Sequence, residues 1–132
     1  MKKFLMLGLS AAALLAFSLS EGKSYTCKTN GVAFNDGNQT RNIPLTPKTE
    51  PLLKKTLKNF FEINVKKINK DTVNIKVGGD EENLTFAGKW NGYNKYQDKA
   101  GAVIFMPDKN ASSNNAALII PPQRVVIFYQ CQ

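Results

Sequence analysis

The chain has two cysteines, and they lie at opposite ends of it: Cys27 early, and Cys131 one residue from the end of a 132-residue sequence. An even cysteine count in an exported chain reads as a disulfide. Two cysteines permit one intramolecular pairing, and a bridge normally needs Cα atoms about 4.4–6.8 Å apart. The first and last structured segments must then be neighbours. A sheet that closes on itself meets that demand, as does a sandwich that ties its ends. A loop of that size is worth up to about 4–5 kcal/mol in chain-entropy models. Redox or metal chemistry is the competing reading. Redox motifs place cysteines close together, and no histidine exists to complete a metal set, so both are set aside.

Export is inferred from the opening MKKFLMLGLSAAALLAFSLSEGKS. Lys2 and Lys3 form a basic start, an uncharged apolar run extends from Phe4 to Phe17, and small residues follow. This is the layout of a cleaved signal peptide, with processing after Ser18 or Ser20. The run falls short of the roughly 20 residues of a comfortable membrane span. Cys27 follows Ser24-Tyr25-Thr26, a poor lipoprotein site. The expectation is residues 1–20 as signal peptide and 21–132 as one exported domain without a stable membrane anchor, in the periplasm. Without Lys2 and Lys3, 16 basic residues face 10 acidic ones, a net charge of +6. Such a charge favours anionic envelope partners, and nucleic acid is not expected there. With no run of five or six like charges, scattered lysines that simply keep the protein soluble are the preferred reading.

Period-two alternation dominates the chain. In FEINVKKINKDTVNIKV, Phe61, Ile63 and Val65 alternate with Glu62, Asn64 and Lys66. After a turn near Asn69–Asp71, Val73, Ile75 and Val77 alternate with Thr72, Asn74 and Lys76. This is a hairpin with one buried and one wet face. A first strand is read over 24–34, a short edge strand near Ile43–Leu45, and further strands at 83–90, 93–97, 102–106, 116–120 and 124–131. Neither face of Val125–Phe128 is polar, so the last strand should be covered on both sides. One segment changes period: in TEPLLKKTLKNFF, Leu52, Leu53, Leu57, Phe60 and Phe61 share half of a helical wheel. Thr49 can cap this helix, and Pro51 suits its first turn. The helix should plug one end of a β-structure. The predicted fold is mainly β: a small antiparallel barrel or sandwich with one short helix and its first and last strands joined by the disulfide.

The missing residues narrow the chemistry. Without histidine, a Ser-His-Asp or Cys-His device is impossible, and no phosphate-cradling glycine loop is present. Asp80-Glu81-Glu82 is the one dense acidic group; paired acids can hydrolyse glycosides or hold calcium. Three adjacent acids at a turn more often form a solvated tip. The expectation is no enzyme, no cofactor and no metal.

Two surface features suggest roles. Asn38, Asn83 and Asn110 each begin an Asn-x-Ser/Thr triplet, and each has an acid two residues earlier, Asp36, Glu81 and Asp108. Acid-x-Asn-x-Ser/Thr resembles the acceptor signature of bacterial N-linked oligosaccharyltransferases, and all three sites are read as loops able to carry a glycan. Coincidence among surface loops is nearly as good a reading. The second feature is GKWNGYNKYQDK, where Trp90, Tyr93 and Tyr96 interleave with Lys89, Lys95 and Lys99. Aromatic faces can stack on sugars and lysines can meet anions. Trp90, Tyr93, Lys95 and Tyr96 are the candidate binding residues, against the preferred reading of a hairpin whose aromatics fill the core.

The early SYTC, the late YQC and the basic small exported β-domain resemble the periplasmic C-type lysozyme inhibitors. The resemblance implies a small antiparallel barrel with a cysteine near each end. That family's inhibitory loop has a Ser-Gly-x-x-Tyr-like stretch. The nearest match here is Asn91-Gly92-Tyr93-Asn94-Lys95-Tyr96, without the serine and with different spacing. The function expected is non-enzymatic: binding or inhibiting a partner in the periplasm, an envelope protein or a glycan. A barrel carrying a small apolar molecule is the alternative, with a cavity lined by residues such as Phe61, Phe86, Trp90 and Phe105. A carboxylate-dependent hydrolase comes last.

Overall fold

The computed structural model describes residues 19–35, 37, 39–108, 111, 115–120 and 125–132. These residues form nine strands: β1 (Ser24–Asn35), β2 (Thr40–Pro44), β3 (Glu62–Asn69), β4 (Thr72–Val77), β5 (Asp80–Trp90), β6 (Tyr93–Gln97), β7 (Val103–Pro107), β8 (Asn115–Ile120) and β9 (Val125–Cys131). Helix α1 (Glu50–Leu57) and a 3₁₀ turn (Lys58–Phe60) join β2 to β3. Every strand pairing is antiparallel. The order β1-β3-β4-β5-β6-β7-β8-β9 returns to β1, which closes an eight-stranded barrel with β2 as an added strand.

Closure depends on β1. Its first half pairs with β3, from Ser24↔Lys66 to Lys28↔Glu62, and its second half pairs with β2, from Gly31↔Pro44 to Asn35↔Thr40. Its other edge runs along β9 from Cys27↔Cys131 to Phe34↔Val125, with a register shift between Thr29 and Gly31. Such an irregularity bends a strand and increases its twist, which helps one strand serve two neighbours along one edge. The Cys27–Cys131 disulfide joins the first and last strands as expected. Its Cα atoms are 4.0 Å apart, nearer than the usual range. Thr26 and Gln132 exchange both backbone hydrogen bonds beside it, at 2.9 Å each. The cysteines therefore occupy the adjacent non-hydrogen-bonded position, where opposed residues approach most closely.

An eight-stranded barrel is just wide enough to be filled by side chains or to hold one small ligand. Here the two ends differ. At the disulfide end, Tyr25, Tyr96, Met106, Ile63, Val65, Tyr129 and the cystine are buried together. Burying such large side chains is the main favourable term holding the ends of the chain together. At the other end the inward positions are mostly short aliphatics: Val32, Ile75, Val77, Leu118, Ile120, Val125 and Ile127. They do not reach the axis.

Several boundaries differ from the expectation for local reasons. Asp80-Glu81-Glu82 is not a turn tip. Gly78-Gly79 alone makes the turn, and β5 begins at Asp80, opposite Val77. Trp90–Tyr96 is a tight hairpin about Asn91 (φ 49°) and Gly92 (φ 84°), with Trp90 opposite Tyr93. Two positive φ values between paired strands match the Asn-Gly turn that suits strand twist. The edge strand lies at Thr40–Pro44 rather than at Ile43–Leu45. Thr49 sits at the N-cap of α1, but its hydroxyl makes no cap bond; it donates to the Pro44 carbonyl at 2.6 Å.

Candidate functional site

The sparse end of the barrel holds a cavity of about 830 Å³ that is partly open to solvent. Its wall is aliphatic and aromatic: Val32 and Phe34 from β1, Ile43 from β2, Ile75 and Val77 from β4, Leu84 from β5, Leu118 and Ile120 from β8, and Val125 and Ile127 from β9. Leu52, Leu53 and Leu57 of α1 and Phe60 of the 3₁₀ turn line it from above. The helix thus plugs one barrel end, as its pattern suggested. It leaves space beneath because one buried leucine, Leu53, does most of the packing while Leu52 stays 55% exposed. A largely apolar space of 300–1,000 Å³ with a few polar groups is the usual form of a small-molecule site.

Hydrogen bonds to carbonyls at the end of the helix fix the roof. The Tyr129 hydroxyl donates to the Phe60 carbonyl at 2.6 Å. Thr29 holds the Phe61 carbonyl twice, through its hydroxyl at 2.7 Å and its backbone N–H at 2.9 Å. Burial pushes the Tyr129 phenol far above its ordinary pKa, so it remains a donor. Beyond the helix, Asn59 packs onto the β4–β5 turn at Gly78. The helix therefore hangs between strands at both sides of the mouth. Lys58, at its C-terminal end, has φ 54°, an uncommon conformation for a side chain of that size.

The polar lining is uneven. Asp80, Glu81, Glu82 and Asp98 reach the cavity together with Lys58, Thr56 and Asn59. Glu82 shares the inward face of β5 with Leu84, opposite Ile75. Glu81 faces outward, where it meets Lys76 at 3.9 Å and the Asn74 side-chain amide at 3.2 Å. Asp98 accepts the Ala102 backbone N–H at 2.9 Å through one oxygen. Among the described residues, neither Asp80 nor Glu82 has an ion-pair partner.

The residues singled out from sequence fall elsewhere. Phe61, Phe86, Trp90 and Phe105 do not line the cavity. The aromatic–lysine segment divides between two faces. Tyr96 points inward, 1% exposed, with its ring edge-on to Phe86 at 5.8 Å. It therefore does not share a surface with the other three binding candidates. Trp90 is 61% exposed on the outside, with Tyr93 at 6.5 Å and Phe105 at 6.0 Å between ring centres. Lys95 lies opposite Phe105 on that outer face. Lys89 is held by Asp108 at 3.3 Å. The second face of the last strand joins the same surface: Val126 and Phe128 are only half-buried beside Ile119 and Ala117.

Of the three acceptor triplets, Asn38 and Asn110 lie outside the described residues. Asn83 is exposed but sits within β5 rather than in a loop, and its side-chain oxygen accepts from Asn74 at 3.0 Å. Among the described residues no three His, Cys, Asp or Glu side chains converge to hold a metal ion, and no helix is long and apolar enough to cross a membrane. No protein family, curated protein or solved structure matches the chain.

The cavity residues were the part that sequence reading missed. Their alternation was visible, but alternation reports which face is inward and not whether side chains meet across the axis. The usable signal was size: inward aromatics concentrate toward the cysteines, and inward aliphatics toward the helix.

Proposed function

We propose that this protein is a non-enzymatic, exported binding barrel that takes up a small, largely apolar molecule beneath its helix. The observation that carries this reading is the apolar cavity of about 830 Å³ in a closed barrel whose other end buries its large side chains. Filling an apolar space with ligand removes apolar surface from water at about 25 cal/mol per Å². The basic, short-leader sequence and the terminal disulfide support a periplasmic setting. Asn83 is surface-exposed and is kept as a proposed glycan acceptor. Intact mass from the native host tests that part, and an unshifted mass removes it.

The test of binding is titration with N-phenyl-1-naphthylamine, a neutral apolar dye. Saturable one-to-one binding is expected in the native protein, and its loss is expected in Ile120→Trp, where the larger ring occupies the cavity. Undiminished binding in a folded Ile120→Trp would overturn the reading.

A second reading rests on Trp90. Its exposed ring beside Tyr93 and Phe105 suits docking to an envelope protein or glycan. Trp90→Ala separates the two readings. It should leave dye uptake intact and abolish any pull-down of an envelope partner.

A further inference from the structure

We infer that the ligand of this cavity is a cationic amphiphile: an apolar chain or ring system carrying an ammonium or comparable positive head. The inference rests on the cavity-binding reading and adds the charge of the head group. Excess basic charge characterises the chain as a whole, with 18 lysines and arginines against 10 acids. The lining reverses that ratio: among the described residues Asp80, Glu82 and Asp98 stand against Lys58, with Glu81 turned outward to Lys76. The reversal arises from the hairpin geometry. The two-residue turn at Gly78-Gly79 starts β5 at Asp80, and strand alternation then sends Asp80 and Glu82 to the same face as buried Leu84. Asp98 reaches the lining from the β6–β7 turn, which its own carboxylate stabilises.

Glu81 is occupied by Lys76 and Asn74 on the outer surface. Asp80 and Glu82 have no such partner among the described residues. Two unneutralised carboxylates therefore stand where an apolar ligand's polar end would emerge, Asp80 beside Val77 and Glu82 beside Ile75. A clefted surface with low-dielectric walls focuses such a field on whatever enters. A carboxylate- or phosphate-headed amphiphile would meet repulsion at the same place. The favoured ligand thus has its apolar part among Val32, Leu118, Ile120 and Ile127, and its positive end beside Glu82.

The experiment compares decyltrimethylammonium, decanol and decanoate, each below its micelle concentration, as displacers of N-phenyl-1-naphthylamine. At low salt the cation should bind at least about fivefold more tightly than decanol, with decanoate weakest, and raised salt should compress the series. In the double variant Asp80→Asn/Glu82→Gln the cation-to-decanol ratio should fall to near one. Both positions are exposed, so the substitutions disturb no buried contact. If decanol displaces the dye as well as the cation does, or decanoate does so better, the head-group inference is overturned and the cavity reading stands. If none of the three displaces the dye and the dye itself does not bind, both are overturned.

Discussion

Removing the disulfide should cost this protein an unusually large share of its stability. Cys27 and Cys131 are 104 residues apart, so the bridge closes nearly the whole described domain into one loop. Loop-closure entropy for that length is about 16 cal/mol/K, or about 4.7 kcal/mol at 25 °C. The cysteines already face one another in the β1–β9 ladder, and the flanking Thr26–Gln132 hydrogen bonds hold that register without them. A small domain is stable by only about 5–15 kcal/mol. Reduction should therefore remove a third or more of the total, and roughly 20–40 °C of melting temperature at about 4–8 °C per kcal/mol. The assay is urea unfolding of oxidised and reduced protein of identical sequence, with Cys27→Ala/Cys131→Ala as a check against reoxidation. The midpoint should fall sharply. The slope should rise, because an uncrosslinked chain unfolds to a more expanded state. A loss below about 1.5 kcal/mol would refute the reasoning. It would mean that the chain ends remain associated in the unfolded ensemble, leaving the bridge little entropy to remove.

Three further outcomes follow from the packing. The Tyr129 phenol is pushed up by burial, so its folded pKa lies above the unfolded value of about 10. Its stabilisation is complete below pH 10 and declines above it, by about 1.4 kcal/mol per pH unit. Tyr129→Phe should flatten that alkaline limb in pH-dependent unfolding, while lowering neutral-pH stability by about 1–2 kcal/mol through the orphaned Phe60 carbonyl. Gly78→Ala should destabilise by at least about 1–2 kcal/mol, because a Cβ at φ 61° would meet the Asn59 amide at 2.6 Å. Pairing it with Asn59→Ala should recover the steric part in a double-mutant cycle. Ile63→Ala, at a fully buried site in the packed end, should cost about 2–5 kcal/mol by thermal unfolding.

Strand alternation and cysteine placement were enough to establish a large part of this molecule. Period-two patterning located the β3–β4 hairpin and the inward residues Ile63, Val65, Val73 and Ile75, because side-chain direction in a strand is a local property. The period change at TEPLLKKTLKNFF located the helix, for the same reason. The terminal cysteines required the first and last strands to meet. Tertiary structure decided what local pattern cannot carry. Barrel and sandwich differ in whether β1 finds β9 and β3 on opposite edges, and that depends on pairing between distant residues. The division of Trp90 from Tyr96 depends on the register shift between Phe86 and Gly88 and on the tightness of the Asn91-Gly92 turn. The cavity depends on volumes summed across the barrel axis, where Ile75 and Leu84 of β4 and β5 face Leu118 and Ile127 of β8 and β9, strands far apart in the sequence. A sequence states each side chain's size and face; only the closed barrel decides whether opposing side chains touch.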